Sequence, residues 1–196
     1  MRCLCLLNAL IVSFLFAPKS SASGPLLDPE NLVPSTVLTK ALSFLEKHKN
    51  VFPNDKIISI INYAIPSNKK RLFIINLQTG RIWPLHVAHG QGSDPSHQGV
   101  AKLFSNIAGS NASSLGFYRT KNVYEGKHGK SLRLEGLSET NSNAFDRSIV
   151  IHGADYIRDI DAVQGRSLGC PAVSQKNSSA LIDQIKEGSL LYVTHY

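Results

Sequence analysis

Cys170 lies in the stretch RSLGCPAVS, residues 166–174, with Gly169 before it, Pro171 after it and Arg166 four residues upstream. A thiol attacks as the thiolate, so it needs a base or positive surroundings to react near neutral pH. His152, near the end of the apolar run RSIVIHG (147–153), could be that base. It stands where a buried strand meets a loop, a place where rigid scaffolds present working side chains. Gly153 and Gly169 would let backbone approach a substrate closely. The N–H groups of Gly169 and Cys170 are candidates for an oxyanion hole, and a helix opening near Ser174 would add a partial positive charge. A nucleophile so placed is expected to be partly exposed and to ionise readily. A plainer reading stands beside it: free cysteine is among the most buried residue types, and His152 could be a satisfied core histidine.

The other two cysteines, Cys3 and Cys5, fall in MRCLCLLNALIVSFLFAPKSSAS, which has Arg2, an apolar run and a small-residue end. Residues 1–22 are therefore expected to be a secretory signal peptide, with a retained anchor as the alternative. Without them one thiol remains, which can form no internal disulfide and is worth flagging in an oxidising compartment. The expected location is periplasmic or secreted. The formal charge of +7, which Arg2 and Lys19 help to make, suits anionic polymers such as a cell wall as well as ordinary solubility. No Lys/Arg-rich run is interleaved with aromatics, so no nucleic acid is expected as partner. No later apolar run is long enough for an integral membrane segment.

A metal site is not expected either. His86 and His89 sit three apart on an expected strand and so point to opposite faces. His97 and His128 lie in polar sequence, and no C-x-x-C or H-x-x-x-H pattern occurs.

The elements that must position these residues are mostly strands. Residues 23–34 read as an irregular arm. Ser35–Lys49 carries a helical stripe of Leu38, Ala41, Leu42 and Leu45, with Ser35 as N-cap. KIISIINYAI reads as a strand, and RLFIINL and RIWPLHVAH as a hairpin around QTG, with Pro84 marking an edge. Gly90–Asn143 reads as a long polar segment holding short strands at GFYRT and SLRLEGL, of a length that suggests a functional loop. Ser174–Lys186 reads as a helix with Leu181, Ile182 and Ile185 inward, followed by the strand SLLYVTHY.

IVIHGADY followed by GRSLGCPAV resembles the catalytic segment of the YkuD-like murein L,D-transpeptidases, in the branch known as the L,D-transpeptidase catalytic domain family. AHGQGSD, FSN, SSLGFY and YEGKHGKSLRLEGL upstream are similar to the same branch, so the likeness runs from about Ile57 to the C-terminus. It implies a mainly β fold, a sandwich or flattened barrel with peripheral helices. The chain then divides into the leader, an arm and helix over 23–55, and a catalytic domain over 56–196. The implied reaction is acyl transfer on peptidoglycan stem peptides, with Cys170, His152, Gly169 and Ser167 as the catalytic set and no cofactor. Arg166, Arg147, Gly153, Tyr156, His89 and Ser114 are the implied substrate-binding residues. Commoner members carry His or Arg before the motif glycine and Arg two positions after the cysteine; here Leu168 and Ala172 stand there. Arg166 and Arg147 are the candidates to take over that arginine's role. An amine from another stem, a protein lysine or a free D-amino acid would resolve the thioester. The alternatives are an L,D-carboxypeptidase or endopeptidase using water, and a non-catalytic wall-binding protein of the same fold. The segment Gly90–Asn143 is expected to wall the acceptor site and favour transfer.

Overall fold

The computed structural model describes residues 25–196, so the expected leader lies outside the described residues. Strands β1 (Ile57–Asn62), β2 (Leu72–Asn76), β3 (Ile82–Leu85), β4 (Gly116–Gly126), β5 (Gly129–Gly136), β6 (Val150–Ala154), β7 (Ala172–Ser174) and β8 (Leu190–Thr194) form one sheet. Helices α1 (Ser35–Lys47) and α2 (Gln175–Ile185) flank it. The strand order is β3-β2-β1-β8-β4-β5-β6-β7. The pairs β1–β8 and β6–β7 are parallel and the rest antiparallel. The chain leaving β3 then returns to the far edge: Ala88 N–H donates to the Ala172 carbonyl at 2.8 Å, and Gly90 bridges Ser167. The sheet thereby closes on itself almost as a flattened barrel, the mainly β architecture that the sequence implied.

The unbroken apolar runs of β1, β2 and β8 arise because both sheet faces are covered there. Side chains alternate between faces along a strand. Leu72 and Ile74 with Leu191 and Val193 enter the interior, where Leu181, Ile182 and Ile185 of α2 meet them. Phe73, Ile75, Leu190 and Tyr192 face the other way, against Val37, Ala41 and Leu45 of α1. Pro84 sits on β3, at the edge, where its missing N–H costs no ladder bond.

Several boundaries differ from the sequence expectation. Helix α1 begins at Ser35 with Pro34 in the N-cap position, and it stops at Lys47. Ser174 does hold the N-cap position of α2, but its hydroxyl donates to the Asp159 carboxylate at 3.0 Å rather than capping. The arm before α1 is ordered by Asp28, whose carboxylate accepts from the N–H groups of Leu32 and Val33, both at 2.8 Å. It lies against the β2–β3 turn at Gly80, whose φ of +73° suits glycine. The expected polar segment is largely sheet: β4 and β5 fill Gly116–Gly136, with a bulge between Thr120 and Val123. The irregular part shrinks to Gly90–Leu115 and the short link into β6.

Arg71, just before β2, is fully buried. Its guanidinium donates to the carbonyls of Val87 (3.0 and 2.8 Å) and Ile65 (3.1 Å) and to His89 Nδ1 (2.7 Å). Burial pulls its pKa down to about 10, which leaves it charged at neutral pH. Arg71→Ala strips the donors from the Val87 and Ile65 carbonyls and from the buried His89, and should cost about 3 kcal/mol of unfolding free energy. Urea denaturation checks this; a loss below about 0.5 kcal/mol would contradict it.

Candidate active site

The β6–β7 register pairs His152 with Ala172. Continued two residues back, it sets Cys170 beside Val150, and the Val150 N–H indeed points at Cys170 Sγ at 3.5 Å. Residues paired across a sheet share a face, and so do residues two apart along a strand. Cys170 and His152 therefore emerge on one face as diagonal neighbours, with Cα atoms roughly 8 Å apart on ideal strand spacings. Both line a cleft of about 400 Å³, together with Ser167, Arg166, Arg147 and Tyr156. A cavity of similar size under the arm, at Leu26, Asp28 and Arg81, holds no cysteine or histidine, and among the described residues no arm residue lines the Cys170 cleft.

The turn presenting Cys170 is tightly tied. Ser167 Oγ donates to the Cys170 carbonyl at 2.6 Å and accepts from Gly169 N–H at 3.1 Å. Gly169 has φ +121°, and a side chain there would stand 3.0 Å from the Ala112 carbonyl, so only glycine suits the position. Its N–H is already bonded, so the expected two-amide oxyanion hole loses one member. The Cys170 N–H has no partner among the described residues and remains the available donor.

His152 Nδ1 donates to the Gly153 carbonyl at 2.9 Å, which fixes the proton on Nδ1 and leaves the Nε2 lone pair free. Burial lowers the pKa of His152; the Gly153 hydrogen bond opposes this, while His128 and Lys127 lower it further. The result is a neutral imidazole, the form a general base needs. The thiol departs from expectation. Cys170 is partly exposed, as expected, but burial raises its pKa, and the Val150 N–H, Arg147 and Lys127 only partly offset that. At rest the thiol donates to the Ser148 carbonyl at 3.7 Å and makes no bond to His152. Such contacts often tighten only once substrate is bound.

Four of the expected substrate contacts change role. Gly153 lies outside the cleft: a Cβ there would meet Gln175 Oε1 at 2.2 Å and Ser178 Oγ at 2.8 Å, so it lets α2 pack on β6. His89 is fully buried, accepting from Arg71 at Nδ1 and donating from Nε2 to Asp94 Oδ2 at 3.3 Å. Its backbone does serve the site, since the His89 carbonyl accepts from Ser167 N–H at 3.0 Å. Ser114 is buried too, and its hydroxyl holds Arg147 and Tyr118, each at 3.1 Å. Arg147 borders the cleft, but its terminal nitrogens donate to Ser105 O, Ser114 Oγ, Ser110 Oγ and Ala112 O. It braces the 105–114 loop and supplies charge near the thiol. Arg166 keeps free donors: its Nη1 rests on the carbonyls of Asp94 and Pro95, and Nε and Nη2 have no partner among the described residues. Tyr156 is 40% exposed, with its phenol pushed up to about 12 by burial and then by Cys170, so it stays a neutral donor.

The sequence reading missed Tyr124, Lys127, His128, Ser131 and Ser148, which also line the cleft. The signal was present in YEGKHGKS: two glycines bracketing two polar residues between alternating flanks mark a tight hairpin. Ser131 pairs with His152 across β5–β6, which brings that hairpin to the site.

The model of the L,D-transpeptidase catalytic domain matches residues 30–194. The chain belongs to this family. The match begins upstream of the likeness read from sequence and takes in α1. Similar solved structures include the helical cell shape determining protein Pgp2 from Campylobacter jejuni, at 14% identity over 83% of this chain and 57% of that one, with a TM-score of 0.47. Another is L,D-transpeptidase 3 from Mycobacterium tuberculosis with a faropenem-derived adduct, at 9% identity over 71% and 60%, TM-score 0.47. A third is an L,D-transpeptidase from Xylanimonas cellulosilytica, at 16% identity over 72% and 63%, TM-score 0.39. The chain spans about three fifths of the length of these structures. No curated protein matches it. The family assignment rests on the domain match, since likenesses this distant carry no argument about residues.

Two measurements test the electrostatics. Because burial holds the thiol protonated, iodoacetamide should label the free protein slowly at pH 7 and about tenfold faster per pH unit towards pH 9. A rate already flat at pH 7 would mean a preformed thiolate. His89, held neutral with its pKa lowered to about 4, takes up no proton where the unfolded chain does, near 6.5. Its contribution to stability is therefore full above pH 6.5. It is lost as pH falls towards 4, by up to about 1.4 kcal/mol per pH unit. His152 adds to the slope in the same direction. Melting temperatures measured from pH 7.5 to 4 should show this loss, and His89→Asn, which cannot titrate, should flatten the profile.

Proposed function

We propose that the chain is a peptidoglycan L,D-transpeptidase, a cysteine acyltransferase acting on stem peptides in the cell envelope, outside the cytoplasmic membrane. The observation that carries this reading is the pair Cys170 and His152 on one face of one cleft, with the imidazole tautomer set so that Nε2 can take a proton. Membership of the family supports the substrate class.

In this reading a stem tetrapeptide enters with the carbonyl of its third residue, a diamino acid, at Cys170 Sγ. His152 Nε2 takes the thiol proton as the C–S bond forms, and the carbonyl oxygen gathers negative charge at the Cys170 N–H. The C–N bond to the terminal D-amino acid breaks, and His152 returns the proton to the leaving nitrogen. An acceptor amine then attacks the thioester and gives a proton to His152. A new amide forms, the C–S bond breaks, and the sulfur is reprotonated. Arg166 binds a stem carboxylate through its free Nε and Nη2, a role less open to Arg147, whose two terminal nitrogens are both engaged. The resting protonation suits this sequence, because a neutral thiol beside a neutral imidazole needs only one proton transfer to start.

The test is mass spectrometry of products from tetrapeptide muropeptides. The intact chain should yield cross-linked dimers, or exchange with an added D-amino acid. Cys170→Ala should lower turnover by at least about 10³-fold, and His152→Ala by about 10²–10⁴-fold. Tripeptide alone at high acceptor concentration would make the enzyme a carboxypeptidase. No conversion at all would leave a wall-binding protein.

A further inference from the structure

The charges around the cleft are of one sign. Its lining holds Lys127, Arg147 and Arg166 with His128 and His152, and no Asp or Glu. Some cations elsewhere are paired with carboxylates, such as Lys69 with Asp161, Lys130 with Asp183 and Arg119 with Glu135. Of the three in the cleft, Arg147 is occupied by four hydrogen bonds to the 105–114 loop. Arg166 retains a free edge, and Lys127 has no hydrogen-bond or ion-pair partner among the described residues and is exposed.

Lys127 is nonetheless not a loose surface charge. Gly126 pairs with Gly129, so Lys127 and His128 are the two residues of a tight β4–β5 turn, with Gly129 at φ +72°. The His128 ring stacks on His152 with centroids 4.3 Å apart and planes at 24°. That stack rests the hairpin tip on the imidazole and holds the Lys127 backbone at the cleft wall. The Lys127 charge is felt at both Cys170 and His152.

We propose that Lys127 is a specificity-determining residue that binds a second carboxylate of the donor stem, beyond the one at Arg166, so that the enzyme selects stems whose internal carboxylates are free over amidated ones. The inference rests on the stem-peptide reading above. Acyl transfer that expels the last residue brings a terminal carboxylate one residue from the scissile carbonyl. Acidic and diamino-acid residues of a stem contribute further carboxylates upstream. A cleft with two cations that lack a carboxylate partner, and with no acid in its lining, favours a peptide carrying two such groups; an amide presents only a neutral oxygen to the ammonium and forfeits the ion pair.

The experiment uses the full chain carrying Cys170→Ala, so that binding is read without turnover. Calorimetry at about 50 mM salt compares a tetrapeptide with all carboxylates free and the same peptide amidated at its internal carboxylates, a contrast that salt screening would mask. The free form should bind about tenfold more tightly. Adding Lys127→Gln should erase most of that difference by weakening only the free form, and Lys127→Arg should restore it. Equal affinities for the two peptides would overturn the proposal while leaving the transpeptidase reading intact. So would a Lys127→Gln effect equal on both peptides, since a merely structural role would act on both alike. Binding of neither peptide would overturn this proposal and the stem-peptide reading together.

Discussion

The parallel pairing of β6 with β7 is the constraint on which the site depends. It makes neighbours of two residues far apart in sequence, and its register puts both side chains on one face. The surrounding structure protects that register from each side. Strand β5 pairs with β6 through Ser131 and His152. Helix α2 presses on the opposite face, where Gly153 leaves room for Gln175 and Ser178. On the far edge Ala88 N–H bonds to the Ala172 carbonyl, and the His89 carbonyl and Gln91 N–H bond to Ser167, so β7 is held between two neighbours although it has only three residues. A slip of one residue would turn Cys170 to the other face.

Burial, more than any single charge, sets the protonation of the pair. The same desolvation raises the thiol and lowers the imidazole, because both ionised forms lose water. Arg147 and Lys127 act against this at sulfur and with it at His152 or not at all, so the resting site holds two neutral groups. A protonated resting thiol is also less open to oxidation than a permanent thiolate. In the proposed reaction the proton transfer then waits for substrate to bring its carbonyl to sulfur.

Behind the cleft a buried polar string runs from Arg71 through His89 to Asp94, whose carbonyl holds Arg166. Asp94 is bound in turn by the N–H groups of Gln98 and Gly99 at 3.0 and 2.7 Å. Each member satisfies the next, as buried polar networks must if they are not to destabilise the fold. The string ties the loop after β3 to the segment carrying Cys170. His89 therefore matters to the site without facing it.

The sequence by itself singled out Cys170 and His152 as a candidate pair, the hairpin with its edge proline, the inward face of α2 and the mainly β architecture. Those features are local: a glycine before a cysteine, a β-branched run ending in His-Gly, a stripe of Leu181, Ile182 and Ile185. Only the tertiary structure decided which polar residues face the cleft. His89, Ser114 and Gly153 look like contacts in the sequence because they are polar or small and near the motifs. Their burial depends on strands that arrive from elsewhere in the chain. Arg147 and Arg166 are alike as residue types, and they differ because the 105–114 loop folds over one and leaves the other an open edge. Lys127 and His128 reach the site only because β4 and β5 extend further than their propensities suggest, laying a two-residue turn against His152. The protonation of Cys170 was likewise not legible, since a pKa is set by the water a group loses on folding, and that loss is a property of the packed chain.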